Sequence, residues 1–182
     1  MNNYLWKINK KKLLKTNLSE YADFLKKNYK FKVNNNFDQL WKWSIKNPKF
    51  FWSSIWDFTK IVGFKGDIIL KKSKIFYKNK FFPTSKINYA KNILIKNNNK
   101  PAIIFKSENE YRTEVTWKKL NLNVKAISIW LQNNKIKKGD RVAAYLPNIP
   151  EAVVAYIASS AIGAVWSSCS PDFGAPGVIE RF

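Results

Sequence analysis

The side chains able to do chemistry gather near the end of the chain: Ser167, Ser168, Cys169, Ser170 and Asp172 fall within six residues. Three hydroxyls, a thiol and a carboxylate could supply a nucleophile, but nucleophilic use needs a base to activate it. The sequence has no histidine, which excludes a Ser-His-Asp triad, an imidazole base and a histidine-ligated metal. Cys169 is the single cysteine, so no internal disulfide or cysteine cluster forms, and it reads as a small buried or loop thiol. Carboxylates are sparse and unclustered, against a metal cage or a glycosidase pair. The six glycines lack the spacing of a phosphate loop. No catalytic residue and no metal ligand is assigned. What remains is a polar connection with a proline and a glycine, the make-up of any strand-to-helix link.

The elements that must position this connection follow a strand–turn–helix–strand order. Arg141 to Leu146 reads as a strand whose apolar run suits a buried parallel position. Pro147 stops it, Asn148 is the expected N-cap, and Pro150 sits in the first turn of a helix reaching Ile162. Gly163 supplies a left-handed end, and Ala164 to Ser168 is the next strand, parallel to the first by a right-handed crossover. Ligands of open α/β sheets sit beyond the carboxyl ends of strands. That rule puts Ser167 to Gly174 at the edge of a candidate site, and Gly177 to Phe182 reads as a helix just begun.

Upstream, residues 1–64 read as aromatic-rich helices. Ser19 is the expected cap of Glu20 to Asn28, and Asn36 that of Phe37 to Lys46, with Leu40, Trp41 and Ile45 inward. Asn47-Pro48 starts a helix in which Phe51, Trp52, Ile55, Trp56 and Thr59 recur at helical spacing. Such a stripe could stack nucleic-acid bases, but at this period it is far more often core. Further on, Asn88 opens a short helix to about Ile95. Pro101 to Phe105 and Tyr111 to Val115 form a strand pair. Thr116 caps a long helix with Leu120, Val124, Ile127 and Leu131 buried, closed by Asn133-Asn134. The asparagine runs 34–36 and 97–99 read as surface loops.

The formal charge is +21, divided as +23 up to Lys138 and −2 after it. Thirty of the 33 basic residues are lysine, scattered among 21 asparagines and 19 isoleucines. These are residues of A- and T-rich codons, and arginine, the preferred reader of guanine and phosphate, is nearly absent. Solvated lysine faces explain the charge without a specific nucleic-acid partner; a lysine-rich basic binding protein is the alternative of a different class. The weakly polar run Ala152 to Trp166 is shorter than the roughly twenty residues of a membrane span, so no membrane partner is expected. A lone cysteine and no apolar leader within residues 1–14 suit the cytoplasm.

Gly139-Asp140-Arg141-Val142, Tyr145-Leu146-Pro147-Asn148, Pro150-Glu151-Ala152-Val153 and Gly163 through Gly174 resemble the acyl-adenylate-forming ligases, specifically the branch that activates acetoacetate. Leu40 through Phe58 is similar to the helical N-terminal extension of that family's short-chain acyl-CoA synthetases. Phe82-Pro83 with Ile87-Asn88-Tyr89-Ala90 resembles another family element, with Thr84-Ser85 where Gly-Ala is usual. The resemblance runs from Leu5-Trp6 to Phe182. It implies an α/β fold with a helical extension over 1–64 and the first part of the large N-terminal ligase domain over 65–182. It also implies acetoacetate, ATP, Mg2+ and coenzyme A as substrates and cofactors of the full-length enzyme. Ser170, Pro171 and Asp172 fall where the acetyl branch lines its coenzyme A pocket, and Trp166 is the implied substrate-side residue. The acetyl- or propionyl-activating branch is the near alternative. The family's Gly-rich Pro-Lys loop for ATP, and its later Asp, Arg and Lys motifs, do not occur before Phe182. The chain therefore reads as the N-terminal portion of a longer enzyme, inert alone.

Overall fold

The computed structural model describes residues 8–33 and 36–182. Leu5-Trp6, and Asn34 and Asn35 of the expected surface loop, lie outside the described residues. The chain forms two compact units that divide between Lys86 and Ile87.

The first unit begins with α1 (Lys10–Leu13), α2 (Asn17–Tyr29), α3 (Phe37–Lys46) and α4 (Pro48–Phe58). Thr16, not Ser19, caps α2: its side chain accepts from the Ser19 amide. Ser19 lies one turn further in, buried, with its hydroxyl donating to the Leu13 carbonyl at 2.7 Å. Asn36 caps α3 through the amides of Asp38 and Gln39. Pro48 begins α4, but Asn47 makes no side-chain cap; its amide donates back to the Trp43 carbonyl and closes α3 instead.

Tyr21, Leu25 and Leu40 form the core of this unit, with Phe24, Tyr29, Phe31, Trp43, Phe51, Ile55 and Phe58 packed around them. Trp41 and Ile45, expected inward, are 52% and 59% exposed. Phe31 stacks on Trp43 at 4.6 Å between ring centroids, and this contact from outside α3 sets which stripe turns in. In α4, Trp56 is buried while Trp52 and Thr59 face outward. Tyr21 and Ser54, both buried, share a 2.6 Å hydrogen bond. Ser54 donates to the Phe51 carbonyl, so the phenol supplies the proton between them. Beyond α4 lie β1 (Gly63–Phe64), β2 (Leu70–Lys71) and β3 (Lys80–Phe81), with β2 and β3 pairing antiparallel, and the division between the units falls within β4 (Lys86–Ile87). Gly66 takes a left-handed φ of +76° against the turn at Thr84 and Ser85.

The second unit starts with α5 (Tyr89–Ile93), capped by Asn88 through the Lys91 amide. β5 (Pro101–Lys106) and β6 (Arg112–Thr116) pair antiparallel as expected. Thr116 caps α6 (Trp117–Asn133) by accepting from the Lys119 amide. Leu120, Val124 and Leu131 are buried with Ala90, Val154, Ile157 and Ala158 in one core. Ile127 is 37% exposed instead, and lines an apolar groove of about 360 Å³ with Val115, Ala126, Pro150 and Val154. Asn28, Asn121 and Asn134 each donate a side-chain amide to the carbonyl four residues back.

β7 (Arg141–Tyr145), α7 (Pro150–Ile162) and β8 (Val165–Cys169) make the expected parallel unit, in register from Arg141 opposite Val165 to Tyr145 opposite Cys169. Proline forces its predecessor into extended backbone. Ile149, at φ −115° and ψ 162°, therefore stands at the N-cap expected of Asn148, with no side-chain cap bond. Gly163 ends α7 at φ +79°. β7 is not buried on both faces. Val142 and Ala144 are half-buried, whereas Arg141, Ala143 and Tyr145 are exposed. Asn88 ties the unit together, donating to the Ser160 and Ala161 carbonyls at 3.2 and 3.0 Å. After β8 a short 3₁₀ turn, Pro171–Phe173, leads into α8 (Gly174–Arg181), three residues earlier than expected.

Candidate functional site

The parallel ladder delivers the ends of β7 and β8 side by side, and Ser170, Pro171 and Asp172 lie just beyond that edge. The strand runs through Cys169, one residue past the expected end at Ser168, so the connection begins at Ser170. The Leu146 amide donates to the Cys169 carbonyl at 3.2 Å and closes the ladder.

Ser170 caps the turn twice. Its hydroxyl donates to Asp172 Oδ2 at 2.6 Å and accepts from the Asp172 amide at 3.4 Å. The Asp172 carboxylate is thereby held against its own turn while remaining exposed. Pro171 turns its carbonyl toward Tyr145, whose hydroxyl donates to it at 2.7 Å. The Arg181 guanidinium lies 4.5 Å over the Phe173 ring, returning α8 onto the turn. Ser170, Pro171 and Asp172 thus form one locked turn.

Trp166 does not join them. It pairs with Val142, which packs on the helical core, and side chains alternate along a strand. Trp166 therefore shares the helix-side face, and four residues of strand put its backbone roughly 13 Å from Ser170. Cys169 is buried, a small packed thiol. Among the described residues, no group of three or more His, Cys, Asp and Glu could hold a metal ion.

Tyr145 is the residue that sequence reasoning missed. It lies within the strand expected over Arg141 to Leu146, and the available signal is an aromatic hydroxyl directly before Leu146-Pro147. The chemistry on offer is recognition: exposed backbone and hydroxyls of a fixed turn at the carboxyl end of parallel strands, where α/β folds place ligands.

No helix among the described residues is long and apolar enough to cross a membrane. The perturbed acid–base groups lie elsewhere. In the first unit, Asp57 gains carboxylate character because bonds from Lys65 and Tyr29 and the Lys65 charge together outweigh the upward pull of burial. Burial, opposed by the Ser54 hydrogen bond, raises Tyr21. In the second unit, burial raises Tyr156, with its hydrogen bond to Tyr89 adding to the effect.

Residues 94–181 match the family model of AMP-binding enzymes. The chain is 37% identical over 147 residues to acetoacetyl-coenzyme A synthetase of Rhizobium meliloti (strain 1021), an alignment covering 81% of this chain and 23% of that protein. It is 36% identical over 182 residues to acetoacetyl-CoA synthetase of Xenopus tropicalis, covering 98% and 27%. Among solved structures, acetoacetyl-CoA synthetase from Streptomyces lividans matches with a TM-score of 0.88 at 28% identity, over 98% of this chain and 28% of that one. The chain spans about a quarter of the length of these relatives. The βαβ unit and its locked turn lie inside the matched segment, and with the agreement in fold they mark residues 94–181 as a segment of the AMP-binding enzyme kind.

Proposed function

We propose that the chain is part of an acetoacetate–CoA ligase. The reaction has two halves: the carboxylate of acetoacetate attacks the α-phosphate of ATP, releasing pyrophosphate, and the coenzyme A thiol then displaces AMP from the acyl-adenylate. Mg2+ would accompany the nucleotide phosphates. The carrying observation is the agreement of near-complete sequence alignment and fold with acetoacetyl-CoA synthetases. In this reading residues 1–64 are the helical extension and residues 65–182 the beginning of the ligase domain, with 65–86 packed in the same compact unit as the helices.

The turn Ser170–Asp172 borders the coenzyme or acyl site, contributing backbone and a fixed carboxylate, and Trp166, further back on β8, is the substrate-side residue of this reading. These 182 residues carry out neither half-reaction alone, because the ATP-holding loop of the family is not among them. The lysine-rich surface is a solvated face that binds polyanions weakly and loses them steeply with salt.

The test is acetoacetate-dependent ATP–pyrophosphate exchange by the full-length protein, with acetate and propionate as competitors and the 182-residue chain as control. Acetoacetate is expected to be preferred and the short chain silent. Preference for acetate or propionate would reassign the branch, exchange by the short chain would overturn its inertness, and a sequence-selective DNA complex at physiological salt would favour the basic binding protein. In the full-length protein, Asp172→Ala or Trp166→Ala should raise the KM for coenzyme A or acetoacetate more than that for ATP. Wild-type behaviour of both variants would reduce the turn to a connection.

A further inference from the structure

We propose that Tyr145 is a positioning residue. Its hydroxyl holds the Pro171 carbonyl, and with it the turn Ser170–Phe173, in the shape that borders the coenzyme or acyl site. The proposal rests on the reading of that turn as a site edge.

The register carries the argument. Tyr145 stands opposite Cys169 at the last rung of the parallel ladder. From there the hydroxyl reaches past the end of the pairing to Pro171, across 26 residues of sequence. At 2.7 Å this is a well-formed O–H···O bond, although the Tyr145 residue is 51% exposed, so burial alone does not explain where the phenol points.

The other ties of the turn are local. Ser170 bonds to Asp172 two residues on, the Phe173 amide donates to the Ser170 carbonyl, and Arg181 covers the Phe173 ring. These fix the internal shape of the turn but do not aim it. Past the last rung of the ladder, the Leu146 amide bonds to the Cys169 carbonyl and the Tyr145 hydroxyl to the Pro171 carbonyl. Only the second acts on the turn itself. A rigid second anchor of this kind is what holds a recognition loop to the tolerance a site requires.

Tyr145→Phe in the full-length protein removes one oxygen and keeps the ring. Amide hydrogen exchange over residues 170–173 should accelerate about 5-fold, the worth of one ordinary hydrogen bond. The KM for coenzyme A or acetoacetate should rise several-fold, while kcat and the KM for ATP stay at wild-type values. A structural defect alone would not produce that split. Asp172→Ala, measured alongside, reports on the underlying reading. Unchanged exchange in Tyr145→Phe overturns the clamp. Faster exchange with every KM unchanged in both variants overturns the site reading and with it the positioning role. A KM effect from Asp172→Ala without one from Tyr145→Phe leaves the site standing and refutes the role of Tyr145.

Discussion

Replacing Gly66 by alanine separates the cost of an unusual backbone angle from the cost of a collision, because Gly163 provides a matched control. The two glycines sit at φ +76° and +79°. Left-handed backbone costs a residue with a Cβ about 1–2 kcal/mol, and the stiffer unfolded chain returns roughly 0.4–1 kcal/mol. At Gly163 the added Cβ would meet the flexible Lys138 side chain, nearest at Cγ, 3.0 Å away. Gly163→Ala should therefore lose roughly 1 kcal/mol. At Gly66 the same atom would meet the Thr84 hydroxyl, the Thr84 carbonyl carbon at 2.9 Å and the Ser85 nitrogen at 3.1 Å. Backbone cannot swing aside as a lysine can, and overpacking of this kind adds about 1–3 kcal/mol. Gly66→Ala should lose roughly 2–4 kcal/mol. Urea unfolding followed by far-ultraviolet dichroism reads the difference as a further fall in midpoint on the order of 1 M, from typical urea slopes. Thr84→Gly in the Gly66→Ala background should recover only the hydroxyl part of the loss. Equal losses at the two glycines would refute the collision and leave backbone angle as the whole effect.

Three further outcomes follow from particular side chains. Ser159 is fully buried with no hydrogen-bond partner for its hydroxyl, so Ser159→Ala should stabilise the chain by about 1 kcal/mol in thermal unfolding; a destabilised variant would show that the hydroxyl is satisfied. Asn88→Asp keeps the acceptor that caps α5 but replaces the donor serving the Ser160 and Ala161 carbonyls, so it should lose at least as much stability as Asn88→Ala, about 2 kcal/mol; recovery by Asp would show that the cap matters and the tie does not. Asp57 has its carboxyl held below the usual 3.8, so its contribution is complete above the ordinary carboxylate range and fades as pH falls through the depressed value. With its side chain 43% exposed, Asp57→Asn should cost less than about 1 kcal/mol near neutral pH, the gap closing in melts as pH falls below the ordinary carboxylate range; a gap constant with pH would count against the ion pair.

Local signals were read well and distant ones were not. Asn36, Asn88 and Thr116 were legible as caps because the side chain and the amides it serves are within three residues of one another. Ser19 was the expected cap of α2, but Thr16, three residues earlier, serves the Ser19 amide, and both hydroxyls donate to the Leu13 carbonyl. In α3 the expected inward stripe was Leu40, Trp41 and Ile45, and Phe31, from outside the helix, stacks on Trp43 instead. The parallel pairing of β7 and β8 followed from strand–helix–strand order, and the place of the turn followed from that. The turn's anchor did not, since the bond from Tyr145 to Pro171 spans 26 residues and needs the ladder register to be seen. The face of Trp166 likewise became visible only when Val142 was found opposite it.

The asparagines that close α3 and cap α5, and those that bond one turn back in α2 and at either end of α6, bear on how such a chain drifts. Codon usage rich in A and T raises the share of lysine and asparagine along a chain. Lysine is absorbed at little cost on solvated surface, where one long side chain replaces another. Asparagine has to be given work, because a short amide left idle inside a helix competes with the backbone. Here it has been placed where a helix begins, ends or leaves a carbonyl to be answered. Reversal of the nucleotide bias would therefore free the lysines first, while Asn36, Asn88 and Asn121 would be held by the bonds they have acquired.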